Sequence, residues 1–283
     1  MKVGVIGSGG REHAICISLK KSKNIDKIYC FPGNAGTSFI AENIEIDLNN
    51  FEELKRVIEE LGIDIIIVGP EKPLVDGIVD FLEQNKIKVF GPDRVSSQLE
   101  GSKIFTKNLC KKYNIPTAKF GVFNSTQDSF SFLNNCKFPI VVKADGLAAG
   151  KGVYICETHD QSKKAVEEIF NGKFGEAKQI LIEEFLKGEE MSFFIISDGI
   201  SYKIFGTAQD HKRALEGDKG KNTGGMGAYS PSRLDNEDLK KRRLGVRLTV
   251  TSYSILILGM LYYIGNIIYF YILSKTFSTT ILP

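Results

Sequence analysis

Residues 142–153 read VKADGLAAGKGV, a buried-looking strand end followed by glycines wrapped around a lysine. A glycine-rich loop with a lysine is a common way to hold phosphates, and the Walker pattern is the first template to test. It fails here, because only three residues separate Gly146 from Gly150 and Gly152 follows Lys151 where a Ser or Thr is needed. The flanks PIVVKA (139–144) and GVYIC (152–156) are both strand-like. The order is therefore strand, loop, strand, which suits a hairpin flap closing over phosphates and not a P-loop opening a helix. Lys143 shares a strand face with Val141, and a lysine in an apolar strand is costly to bury unless an anion meets it.

Upstream, the apolar runs VGVIG (3–7), KIYCF (27–31), DIIIVG (64–69) and KVFG (88–91) alternate with helix-like stretches near 11–22, 51–61 and 74–85. This βα alternation predicts a parallel sheet covered on both faces, with ligands outside the carboxyl ends of its strands. Those ends carry GSGGREHA (7–14), FPGNAG (31–36) and GPEKPLVDG (69–77), three loops that together make a site. A dinucleotide fingerprint would need glycine where Glu12 stands, and no acid follows KIYCF to hold a ribose, so NAD and FAD are disfavoured.

After residue 91 the texture changes. A helix is expected near 94–112, then strands in IPTAKFGVF (115–123), PIVVKA, GVYIC, QILIEEFL (179–186), MSFFIIS (191–197) and SYKIFGTA (201–208), with a helix at 159–171 headed by a surface residue, His159. IEEFLKGEE (182–190) reads by itself as a solvated turn. QDHKRALEGDKGKNTGGMGAYSP (209–231) reads as a long polar loop, of the kind that is usually functional or disordered.

Composition narrows the class. With 42% apolar and 25% charged residues and a net charge of +3, the 283-residue chain offers no nucleic-acid surface and has room for two or three packed units. Its five cysteines show no metal or disulfide spacing and read as reduced core residues of a cytoplasmic protein. Met1 leads directly into VGVIG, too short for a secretory h-region, so the N-terminus is expected to be structural. Residues 244–283 differ sharply: they hold two of the 37 Lys and Arg and none of the 34 acids. The uncharged run 248–274 is long enough to span a membrane by length alone, with Arg242, Arg243 and Arg247 as a cytoplasmic flank.

Seven motifs in this order, GSGGREHA, GPEKPLVDG, LEGSK, KADGLAAGKGV, EEFLKGEEMSF, QDHKR and NTGGMGAYSP, resemble the phosphoribosylamine–glycine ligase (glycinamide ribonucleotide synthetase) family over about residues 1–231. The resemblance implies a Rossmann-like (pre-ATP-grasp) N-terminal domain over 1–102 and an incomplete ATP-grasp fold over 103–243, with a lid at about 117–186. Residues 244–283 then form a non-family apolar tail. It implies ATP-dependent joining of glycine to 5-phosphoribosylamine through a glycyl phosphate, with magnesium or manganese. The protein would be a cytoplasmic monomer acting on small molecules.

By the same resemblance, Lys103, Lys143, Gly146, Gly150, Lys151 and Gly152 would hold the ATP phosphates. Glu183 and Leu186 would hold adenine through the backbone, and Glu190 would hold the ribose. Gly9, Gly10, Asn34, Glu71, Pro73 and Leu74 fall to the phosphoribosylamine side. Gly224, Gly225 and Met226, with Asp210 and Lys212, fall where glycine meets the transferred phosphoryl, so that Lys143, Asp210 and Lys212 are the catalytic candidates. His13 and His211 are weaker candidates for bases, since amine attack on an acyl phosphate needs little beyond orientation. The family continues past GAYSP to an acidic motif, E-F-N-x-R-F-G-D-P-E, that carries its metal ligands; no such motif is found in 244–283, and no metal ligand is assigned. A shifted reading frame near residues 240–243 would explain the loss of acids. Three outcomes stay open: an active ligase that takes its magnesium carboxylates from elsewhere, an inert or ATP-binding-only truncation, and a membrane-anchored protein that uses 248–274 as a span.

Overall fold

Five parallel strands carry the first hundred residues: β1 (Lys2–Gly7), β2 (Lys27–Pro32), β3 (Glu42–Asn43), β4 (Ile65–Val68) and β5 (Val89–Phe90), in the spatial order β3-β2-β1-β4-β5. The computed structural model describes residues 1–147, 152–197, 202–217, 219–235 and 269–273. It divides into two units, Met1–Gly101 and a second that begins at Ser102.

In the first unit alternate residues of β1 face opposite sides of the sheet, as the pleat requires. Val5 packs with Cys16 of α1 (Gly10–Lys20), while Ile6 packs with Leu54 and Ile58 of α2 (Phe51–Leu61). Helix α2 is closed at both ends by its own sequence: the Asn50 side chain accepts from Glu53 N at 3.1 Å, and Gly62 takes the left-handed conformation at φ +62. The helix expected near 74–85 is two, α3 (Glu71–Asp76) and α4 (Ile78–Gln84), because Gly77 at φ +96 ends the first. The helix expected near 94–112 is likewise two: α5 (Arg94–Gly101) stops before Ser102, whose hydroxyl caps α6 (Lys103–Lys112) by accepting from Phe105 N at 3.0 Å.

The second unit builds two sheets. Strands β6 (Phe120–Phe123), β7 (Ile140–Ala144), β8 (Val153–Cys156) and β9 (Ile180–Glu184) pair antiparallel in the order β6-β9-β7-β8. Helices α7 (Thr126–Leu133) and α8 (His159–Phe170) pack on them through Leu133, Val166 and Ile169 against Ile140, Val142 and Ile182. Helix α7 has no counterpart in the sequence reading, although Ser125 caps it by accepting from Asp128 N at 3.1 Å. His159 does begin α8, but it is half-buried against the Phe138 ring.

The other sheet orders β12-β11-β10-β13, with β10 (Ser192–Ser197), β11 (Tyr202–Leu215), β12 (Lys219–Tyr229) and β13 (Tyr269–Leu273). Here the expectation of a long loop at 209–231 is overturned. Strand β11 continues through Leu215 and pairs with β12 from Gln209↔Tyr229 to Leu215↔Lys219. Backbone hydrogen bonding to a partner strand makes this hairpin, and glycine-rich polar residues give no alternation by which to see it. Among the described residues no helix is long and apolar enough to cross a membrane; apart from β13, the run 248–274 lies outside them.

All five cysteines are free thiols; Cys16, Cys30, Cys110 and Cys156 are buried and Cys136 is half-buried. Burial pushes the Cys156 thiol up to about 11, and it raises Cys110 and Cys136 as well. Ellman's reagent at pH 8 should therefore titrate Cys136 first in the folded protein and the other four on unfolding. Five thiols reacting at one rate would contradict the packing.

Candidate functional site

Strand order reverses at β1, so the crevice of the first unit opens where β1, β2 and β4 end. Under its loops lies Glu12, only 4% exposed although it is an acid. Gly9 N donates to Glu12 Oε2 at 2.6 Å. A Cβ placed on Gly7, Gly9 or Gly69 would come within 2.8, 2.8 and 2.0 Å of the Glu12 carboxyl or its stem, so this side chain fills the space that three glycines leave. The residue that breaks the dinucleotide fingerprint is the one that ties the loops together.

Asn34 joins the second loop to the first. Its Nδ2 donates to Ser8 O at 2.9 Å and Gly9 O at 3.2 Å, while its Oδ1 accepts from Gly36 N and Thr37 N. Arg11 reaches the third loop, donating to Gly69 O and to Glu71 Oε1 at 2.9 Å. Gly9, Asn34 and Glu71 are thus brought together, and Gly10 faces open space. Pro73 is buried in α3, and Leu74 packs against the main core of the unit. His13 sits against Gly36, where a Cβ would meet its ring at 2.6 Å. Arg11 and Glu12 are absent from the sequence-derived candidates, although a glutamate three residues after a helix N-cap is itself a capping signal.

In the second unit β7 and β8 form the expected hairpin, with Lys143 opposite Val153 and Ala144 N donating to Gly152 O at 2.8 Å. Its connecting loop is anchored at the start of α6. Asp145 accepts from Ser102 Oγ at 2.9 Å and from Ile104 N at 3.2 Å, the placement an anionic side chain favours at a helix N-terminus. Lys103 Nζ donates to Gly146 O at 2.8 Å. Lys103 and Gly146 therefore meet at the end of the hairpin that Lys143 leads into, with Gly152 just before the returning strand. Gly150 and Lys151 lie outside the described residues.

Beneath Lys143 the carboxylate of Glu183, buried in the middle strand β9, takes two lysines. Lys143 pairs with Oε1, and Lys107 Nζ lies 2.7 Å from Oε2 as an ion pair that is not an aligned hydrogen bond. Lys107 went unnoticed in the sequence because nothing local distinguishes it from the exposed lysines of the same helix. Leu186 is half-buried just beyond the end of β9.

Farther along, Lys212 pairs with Glu190 and lies 3.5 Å from Asp210, so those three candidates converge on β11. Thr223 Oγ1 donates to Lys212 O at 2.9 Å and accepts from Gly225 N at 3.1 Å, which sets residues 224–226 beside Lys212. Met226 is exposed there. Glu189 accepts from Gln209 Nε2 at 3.1 Å and pairs with Arg233, two contacts that hold its carboxyl below the usual range. His211 stacks on the Tyr229 ring.

The sequence profile of the phosphoribosylglycinamide synthetase N domain matches residues 1–100, and that of the ATP-grasp (A) domain matches residues 101–252. A phosphoribosylamine–glycine ligase of Mesorhizobium japonicum is 46% identical over 245 residues, covering 86% of this chain and 58% of the relative. One from Clostridium acetobutylicum is 46% identical over 246 residues, covering 85% and 58%. The crystal structure of phosphoribosylamine–glycine ligase from Thermotoga maritima superposes with a TM-score of 0.77 at 31% identity, covering 92% of this chain and 62% of that one. The biotin carboxylase domain of the Hydrogenobacter thermophilus 2-oxoglutarate carboxylase, solved with MgADP and bicarbonate, shares the fold at a TM-score of 0.69 and 19% identity. The chain spans about 58% of the length of the relatives it matches. Matched along both units, it belongs to the phosphoribosylglycinamide synthetase family of ATP-grasp proteins.

Proposed function

We propose that this chain binds ATP in its second unit and serves the ATP-dependent ligation of glycine to 5-phosphoribosylamine, giving glycinamide ribonucleotide, ADP and phosphate. The observation that carries the reading is that Lys103 Nζ donates to Gly146 O at the start of the turn, while Lys143, three residues earlier on β7, pairs with Glu183. Phosphoryl transfer depends on positioned cations and excluded water more than on a protein nucleophile, and Lys103 and Lys143 supply the first. Leu186 and the Glu183 backbone would hold adenine, and Glu190 the ribose. Lys212, Asp210 and residues 224–226 would orient glycine and the transferred phosphoryl. The loops pinned by Glu12 would receive phosphoribosylamine, their backbone N–H groups and the start of α1 favouring its phosphate.

Magnesium would neutralise charge on the phosphates, but the described residues do not fit it. No group of three or more His, Cys, Asp or Glu is placed there to hold a metal, and Glu190 and Asp210 already share Lys212. A second reading, in which the chain binds ATP without turnover, rests on the acid-free composition of residues 244–283. In either case it acts as a cytoplasmic monomer on small molecules.

Titration calorimetry of the full chain should show ATP binding and no comparable binding of NAD; tighter binding of NAD would overturn the nucleotide assignment. An assay with phosphoribosylamine, glycine, ATP and magnesium then separates ligation, which forms glycinamide ribonucleotide, from binding alone.

A further inference from the structure

The second unit contains a charged cluster that the assignments above use only in part. Glu183 is 7% exposed, Lys107 is 9% exposed at its side chain, and Lys143 is 24% exposed. Two ammonium groups on one carboxylate leave a net charge of +1 in a mostly dry place, which is costly unless an anion comes to it. The two lysines are not equivalent. Lys107 is caged: its Nζ donates to Thr117 Oγ1 at 2.6 Å, lies 5.6 Å from the centre of the Phe120 ring and pairs with Glu183. Lys143 stands at the hairpin end beside Gly146.

We propose that Lys107 is a positioning residue: it neutralises Glu183 permanently, so that Lys143 can leave that carboxylate for a nucleotide phosphate without stranding a buried charge. The inference rests on the ATP reading and adds the element that makes Lys143 available. Without Lys107, Glu183 and Lys143 would form a neutral buried pair. Each phosphate contact made by Lys143 would then leave an unpaired carboxylate in the sheet, the costliest outcome for a buried ion pair. Lys103, the other cation at the hairpin, is engaged with Gly146 O, and Asp145 is held on the N-terminus of α6, so neither substitutes for Lys107 at Glu183.

The experiment is a charge cycle on the full chain, read by equilibrium dialysis with labelled ATP and labelled adenosine, which lacks phosphate. Lys107→Met should weaken ATP about tenfold and leave adenosine within about twofold, since only the phosphate contact is lost. Glu183→Gln removes the carboxylate that Lys107 neutralises and serves as the reference background. Adding Lys107→Met to Glu183→Gln, which returns the cluster to +1, should then change ATP affinity by no more than about threefold relative to Glu183→Gln alone. If Lys107→Met does not fold alone, the comparison within the Glu183→Gln background still decides, since there the loss of Lys107 should have little effect on ATP. Equal losses of ATP and adenosine in Lys107→Met would mean a purely structural role and overturn the inference. So would unchanged ATP affinity in that variant, or a tenfold weakening when Lys107→Met is added to Glu183→Gln. If the unsubstituted chain binds neither ligand, the ATP reading itself fails and takes this inference with it. That result is distinct from a chain that binds ATP but ignores the charge at position 107.

Discussion

Lys143→Ala is expected to weaken ATP binding by about 1.5–3 kcal/mol, the value of a lost charge-assisted hydrogen bond, which is about a tenfold to hundredfold rise in Kd. The fold should survive the change. Glu183 would still be paired with Lys107, so the carboxylate is not left alone in the sheet, and Val141, Val142 and Ala144 keep β7 in the core. Calorimetry measures the first effect and urea denaturation the second. ATP affinity within twofold of the unsubstituted chain would remove Lys143 from the phosphate site. An unfolded variant would show instead that its pairing with Glu183 is structural.

Gly69→Ala should destabilise the first unit by about 2–3 kcal/mol, at the upper end of overpacking costs. The new Cβ would lie 2.0 Å from Glu12 Oε1 and 2.6 Å from its Cδ, so the buried carboxyl must move and give up its bond from Gly9 N. The discriminating comparison places the same substitution in a Glu12→Ala background. With the carboxyl gone the clash is gone, and the added cost should fall below about 1 kcal/mol, the non-additivity expected of groups in contact. Equal costs in both backgrounds, read from urea midpoints, would show that Glu12 is not what makes glycine necessary at position 69.

Much of this was readable from local pattern. The near-continuous apolar strands of the first unit imply burial on both faces, and the structure pairs them in parallel with helices on each side. The hairpin around VKADGLAAGKGV followed from two strand-like runs with a glycine loop between them, since a strand's alternation and a turn's glycines are properties of adjacent residues. Helix ends were less well read. Gly77 and Ser102 carried ordinary stop and start signals, but continuous apolar periodicity across them suggested single helices. The strand expected at 201–208 is the start of β11, but its continuation and partner over 209–229 lacked even that signal, because their pairing is between backbones and most of their side chains are polar or absent.

The sequence by itself determined the parallel sheet of the first unit, the glycine loops at its strand ends and the lysine beside the flap, because periodicity and glycine content act over a few residues. Only the tertiary structure decided which charges are buried together. Glu12 in GREH looks like any exposed helix acid, and Lys107 like any lysine of KIFTKNLCKK. Yet Glu12 lies beneath three loops, and Lys107 reaches a carboxylate 76 positions away at Glu183. The free energy of a buried charge depends on its partners in space. Chain neighbours cannot reveal those partners when they arrive from other strands and helices.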